Sequence, residues 1–281
     1  MLNYQRIVID AFVEELRRGY KRTYSDLKPE YVNIIAWCAR LVMEIIANSD
    51  ALYHNLEHTL TVTLAGQAIL EGKHLREGKV SAGDWLHFVI ALLCHDIGYV
   101  RGVCKQDQEG EYATGIGEER VKIDPRETDV ALTPYHVDRS KLFVKERFGA
   151  EMLEEMARVI DPERIASFIE LTRFPPPEGE EYQQTNTYAG LVRAADFIGQ
   201  LGDPNYMRKS PALFFEFAQI GANEKFGYEK PGDLREDYPS FFWGVVNPYI
   251  EDAISYLQLT QEGKQWIASL YGQVFAAEHR R

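Results

Sequence analysis

Helical periodicity dominates the chain. Between residues 4 and 20, Ile7, Val8, Phe12, Val13 and Leu16 fall on one side of a helix. Pro29 suits a first helical position, and an apolar-rich helix follows from Val32 to Ala47. A third helix is expected to begin near 50–55 and to run to about Leu75, with Leu56, Leu60, Leu64, Ala68 and Leu75 marking its inner face. Ser81-Ala82-Gly83-Asp84 has the spacing of a capping box and predicts a fourth helix that ends near Asp96. Gly98, just past that end, is expected to stop it in a left-handed conformation.

Residues 100–127 are polar and glycine-containing, which predicts a long loop or lid. A further helix is expected from Asp129 to Phe148. Asp161-Pro162 and Asp203-Pro204 each read as an N-cap followed by a first helical residue. Phe174 to Gln184, with three consecutive prolines, breaks the pattern. Asn186 to Leu201 and parts of 211–226, 240–258 and 262–278 are helical again. Alternating runs are few, and neither an internal repeat nor a low-complexity segment is visible. The expectation is a single all-α domain over 1–281 of roughly ten helices, its core near 50–200 with helical extensions on either side.

Within this pattern, certain polar residues stand out. His95-Asp96 ends the apolar run Phe88-Val89-Ile90-Ala91-Leu92-Leu93-Cys94, and a buried carboxylate is costly unless a positive group holds it. Asp196 lies in a second such run, Leu191 to Leu201. An i−3 ion pair with Arg193 would explain it alternatively. His54 and His58 are spaced i, i+4, which on a helix sets both rings on one face. Five of the seven histidines fall between 54 and 95. Imidazoles and carboxylates on inward-facing helices suit a divalent transition metal such as Mn, Fe, Zn or Ni.

Composition narrows the classes. The 281 residues are 45% hydrophobic and 26% charged, as in ordinary globular proteins, with a formal net charge of −12. That acidic excess argues against a nucleic-acid backbone or an anionic membrane as the main partner. No stretch approaches the roughly 20 apolar residues of a membrane span. No signal peptide opens the chain, and Cys38, Cys94 and Cys104 form no CxxC pair, so a cytoplasmic protein with reduced thiols is expected.

The ordered set Tyr53-His54-Asn55-Leu56-Glu57-His58, Ala91-Leu92-Leu93-Cys94-His95-Asp96-Ile97-Gly98 and Ala195-Asp196 resembles the HD superfamily of metal-dependent phosphohydrolases. The opening is closest to its cyclic-nucleotide phosphodiesterase branch. The resemblance covers roughly residues 50–200. It implies metal ligation by His58, His95, Asp96 and Asp196, with Asp96 the bridge to any second ion such as Mg. It implies His54 as general acid, supported by Asn55. Tyr99 stands where that branch usually carries another histidine, and His136 is the candidate to compensate. Arg101, Arg139 and Lys141 are candidate phosphate contacts. The implied function is hydrolysis of a small phosphate ester or nucleotide.

Two rivals are on the page. His54-Asn55-Leu56-Glu57-His58 is also the inverted zinc-peptidase motif, with Glu57 as base. A regulatory, non-catalytic protein that binds a metal or nucleotide is the other. The aromatic-rich second half, Phe214, Phe215, Phe217, Tyr238, Phe241, Phe242 and Trp243, is expected chiefly to fill the core, with some residues walling a pocket or a homodimer interface.

Overall fold

The apolar runs become long helices wrapped around one another. The computed structural model describes residues 4–149 and 157–279. The architecture is all-α, with one small two-stranded ribbon. Helix α1 (Tyr4–Tyr24) buries Ile9, Phe12, Val13, Leu16 and Tyr20. Ile7 is 56% exposed, contrary to expectation. Two residues before Ile9 is about 200° around the helix, which turns Ile7 away from the core. Helix α2 (Pro29–Ile46) has Pro29 in its first turn, as its sequence predicts.

Helix α3 (Leu56–Glu77) sits centrally, touching α1, α2, the next helix and three later ones. Its last turn runs beyond the core, so Leu75 is exposed. Helix α4 (Ala82–Cys94) is buried from Trp85 to Cys94. The capping box forms in both directions: the Ser81 hydroxyl accepts from the Asp84 N–H, and the Asp84 carboxylate accepts from the Ser81 N–H.

Beyond α4 the chain tightens into a 3₁₀ turn, Ile97–Tyr99. Gly98 is not left-handed, which corrects the expectation. It is needed for close approach: a Cβ there would lie 2.0 Å from the His136 carbonyl oxygen. The 100–127 segment contains a ribbon of β1 (Glu111–Ala113) and β2 (Arg120–Lys122), antiparallel, with Tyr112 opposite Val121. Strands of three residues are too short to show alternation.

The helix expected over Asp129–Phe148 is two elements, a 3₁₀ helix (Asp129–Tyr135) and α5 (His136–Phe148). Pro134 lacks an N–H and interrupts the α ladder there. Asp161 caps α6 (Pro162–Glu170), accepting from the Arg164 N–H. Thr187 caps α7 (Tyr188–Leu201). Asp203 is not the N-cap of α8 (Tyr206–Gln219). Its carboxylate accepts from the Asn205 N–H and pairs with Lys209, and the α-helix begins later.

Short helices α9 (Ala222–Phe226), α10 (Pro231–Glu236) and α11 (Tyr238–Phe241) follow. A π-helical turn, Phe242–Val246, leads into α12 (Asn247–Leu257), and α13 (Gln261–Glu278) closes the described chain. One contiguous core takes residues from Ile9 to Val274. No helix among the described residues is long and apolar enough to cross a membrane.

The closest helix pairing is α3 against α7. Gly199 makes it possible: a Cβ there would meet the Val62 Cα at 2.5 Å. This contact brings the helix that carries His58 against the one that carries Asp196.

Cys38, Cys94 and Cys104 are all free and buried. Burial pushes each thiol above its ordinary pKa, Cys104 to about 12. A colourless disulfide reagent that reports thiolate attack should therefore find no reactive thiol in the native chain and three after denaturation. Rapid labelling of the native chain would contradict this packing.

Candidate metal centre

Three segments deliver the candidate ligands to one place. At the start of α3, the Asn55 side chain accepts from the backbone N–H groups of Glu57 and His58 and donates to the Leu52 carbonyl. Asn55 is thus the N-cap of α3, and it supports the site by fixing the turn that carries His58. His58, one turn in, points inward and is 5% exposed. His95 caps the C-terminus of α4, and Asp96 follows where the chain turns. Asp196 projects from the middle of α7.

Asp96 Oδ2 lies 3.2 Å from both His58 Nε2 and His95 Nε2. Asp196 Oδ1 lies 3.4 Å from His58 Nε2 and 3.7 Å from His95 Nε2. His58, His95 and Asp196 each offer a donor atom within 4.8 Å of the others. Ligand atoms about 2.1 Å from one ion stand roughly 3.0–3.4 Å apart at tetrahedral or octahedral angles. The spacing fits.

Hydrogen bonding supports the same conclusion. His95 Nε2 and Asp96 Oδ2 are buried without a hydrogen-bond partner. A buried polar atom left unpaired costs about 1–3 kcal/mol, so groups aimed at one centre and unsatisfied there suit a cation. The other nitrogen of His95, Nδ1, donates to the Leu92 carbonyl at 2.7 Å. That bond leaves the Nε2 lone pair facing the carboxylates, the usual orientation of a metal-binding imidazole. Burial pulls the His58 and His95 rings toward neutrality, but Asp196 and Asp96 outweigh it and hold each up to about 9. Burial by itself would raise Asp96, yet His95 and His58 hold its carboxyl well below the usual range.

Around this centre lies a stack of rings. Tyr99 is sandwiched between His54 and His136, with centroids 4.7 Å and 4.5 Å away and planes within 18°. His136 Nδ1 donates to the Thr133 carbonyl, and its Nε2 is 3.9 Å from Asp96 Oδ1. His54 Nδ1 donates to Glu216 Oε2 at 2.5 Å, and Glu216 Oε1 accepts from the Tyr53 and His54 N–H groups. Burial lowers the basicity of His54, but Glu216 more than reverses this, and the ring's pKa is raised. At His136 burial prevails and the pKa is lowered.

Glu216 is missing from the sequence-derived set. It sits within Leu213-Phe214-Phe215-Glu216-Phe217, a carboxylate inside an apolar run, which is the same signal that marks Asp96.

The three expected phosphate contacts are engaged elsewhere, and none lines the cavity beside the histidines. Arg101 donates to Asp129, Asp50 and the Glu127 carbonyl. Arg139 is fully buried and holds Asp107 together with the Gly98, Val100 and Ala113 carbonyls. Lys141 bridges Asp138 and Glu170. Each guanidinium or ammonium already has carboxylate partners, so none presents a free cation to substrate.

Arg193 does not pair with Asp196. It donates to the Tyr182 and Gln184 carbonyls and lies 3.9 Å over the Tyr249 ring. Glu57 faces outward and pairs with Lys209, which leaves the inverted-peptidase reading without its base at the site. His87 is structural: its Nε2 accepts from the Asp161 N–H.

A cavity of about 480 Å³ opens beside the centre, lined by His54, His58, Asp96, Tyr99, His136 and Asp196 on its polar side. Phe217, Tyr238 and Phe241 from the aromatic-rich second half contribute to the remaining wall. Phe214 and Phe242 are buried in the core, while Phe215 and Trp243 are exposed. No curated protein matches the chain. A family model described as Npun_R2479-like matches residues 2–280. The chain belongs to the Npun_R2479-like family.

Proposed function

We propose that the protein is a metal-dependent phosphohydrolase that cleaves a phosphoester at this centre. The observation that carries the reading is the convergence of His58, His95 and Asp196, from three separate segments, at the wall of a cavity, with Asp96 Oδ2 3.2 Å from both imidazoles. The motif order, which resembles the HD superfamily, supports it.

The four side chains would hold a divalent ion, which when bound lowers the pKa of water and neutralises charge on phosphate oxygens. The chain's own groups divide the remaining work. Glu216 fixes the His54 ring and favours its protonated form, so His54 is placed to give a proton to the leaving oxygen. His136, anchored through Nδ1, faces Asp96 Oδ1 with its Nε2 at 3.9 Å. Tyr99 keeps the two histidines apart as a spacer.

The test is phosphate or alcohol release from simple phosphoesters by chain loaded with Mn, Fe, Zn or Ni. His54→Gln should lower turnover about 100-fold, the scale of a lost general acid, while metal content stays unchanged. A loaded chain that cleaves no phosphoester would overturn the reading.

A further inference from the structure

The cavity is much larger and less polar than a phosphate group needs. Its volume of about 480 Å³ falls within the range of pockets that enclose a small organic molecule. Besides the polar residues named above, the lining includes Thr133, Thr172, Gln200, Tyr206, Tyr228 and Ser240. Elsewhere the wall includes Phe174, Phe197, Leu213, Phe217, Phe241 and Val245. Several of these rings touch one another: Phe174 is 6.4 Å from Phe197 and 5.9 Å from Phe241.

The charges of the lining residues point the same way. Four are carboxylates, namely Asp96, Asp196, Glu216 and Asp237, and none is a lysine. The sole guanidinium, Arg193, gives both Nη groups to carbonyls and lies over a tyrosine ring, which leaves only its Nε without a partner. A second or third phosphate in this cavity would meet carboxylates rather than cations, at a cost in a low-dielectric site. An apolar body would instead replace water along the aromatic wall.

We infer that the site takes a phosphoester with a single phosphate group and an uncharged, largely apolar alkyl or aryl body, rather than a nucleoside polyphosphate. This rests on the phosphohydrolase reading for the ester and on the cavity alone for the body.

Binding of a homologous series of alkylphosphonates separates the two. With Mn-loaded full-length chain, ethyl-, butyl-, hexyl- and octylphosphonate are titrated calorimetrically beside ATP and AMP. Full burial of a methylene is worth about fourfold in affinity. Octylphosphonate should therefore bind at one site per chain at least about 100-fold tighter than ethylphosphonate, and tighter than either nucleotide. A flat series, or tighter binding of ATP, overturns the inference even if nucleotides prove to be hydrolysed. A steep series with no cleavage of octyl phosphate would leave the inferred ligand class standing and overturn the hydrolase reading.

Discussion

Asp96→Ala should lower phosphoester turnover more than about 1,000-fold, because the charge stabilisation that a bound divalent ion supplies is worth several kcal/mol. Asp96 is the hub of the cluster. One oxygen stands 3.2 Å from two imidazoles, and the other faces His136. Removing it leaves His58, His95 and Asp196 with a single carboxylate and a cavity open to water. Asp96→Asn should behave in the same way, since the charge rather than the volume is lost. Steady-state kinetics with metal content measured in parallel checks this. A variant that keeps both its ion and its turnover would exclude Asp96 as a ligand.

The second large effect concerns stability. Arg139→Ala should destabilise the fold by about 3–5 kcal/mol, the cost of stranding one member of a buried ion pair. Both Arg139 and Asp107 are almost entirely removed from solvent. The guanidinium also ties the Gly98 and Val100 carbonyls, just after the His95-Asp96 turn, to the Ala113 carbonyl in the ribbon. Arg139→Lys should not rescue it, because an ammonium cannot span these acceptors as a planar fork does. Denaturant titration measures the loss. A substrate-binding role would appear instead as a raised KM at unchanged stability.

What the sequence makes legible follows from where the information lies. Helix starts are local, and Ser81 and Asp161 cap as their sequence context predicts, although Asp203 does not. The break at Pro134 is equally local, but the helical periodicity on either side of it masks it. The meeting of histidines and aspartates is legible because a carboxylate in an apolar run is anomalous wherever it occurs. Glu216 carries that same mark, a carboxylate among the four apolar residues Leu213, Phe214, Phe215 and Phe217.

The surface-like cations could not be interpreted in this way. Arg101 finds Asp50, Arg139 finds Asp107 and Lys141 finds Glu170, each about 30–50 positions away, and only the folded chain shows these partners. Gly98 was recognised as special for a reason that its sequence context suggests, a left-handed stop. Its actual reason, the proximity of the His136 carbonyl, is tertiary.

Anomalous diffraction from crystals equilibrated with Mn or Zn tests the central claim most directly. One peak should appear about 2.0–2.3 Å from His58 Nε2, His95 Nε2 and an oxygen of each of Asp96 and Asp196. A peak bound by other side chains, or no peak at saturating ion, would contradict the shared centre and with it the proposed hydrolysis.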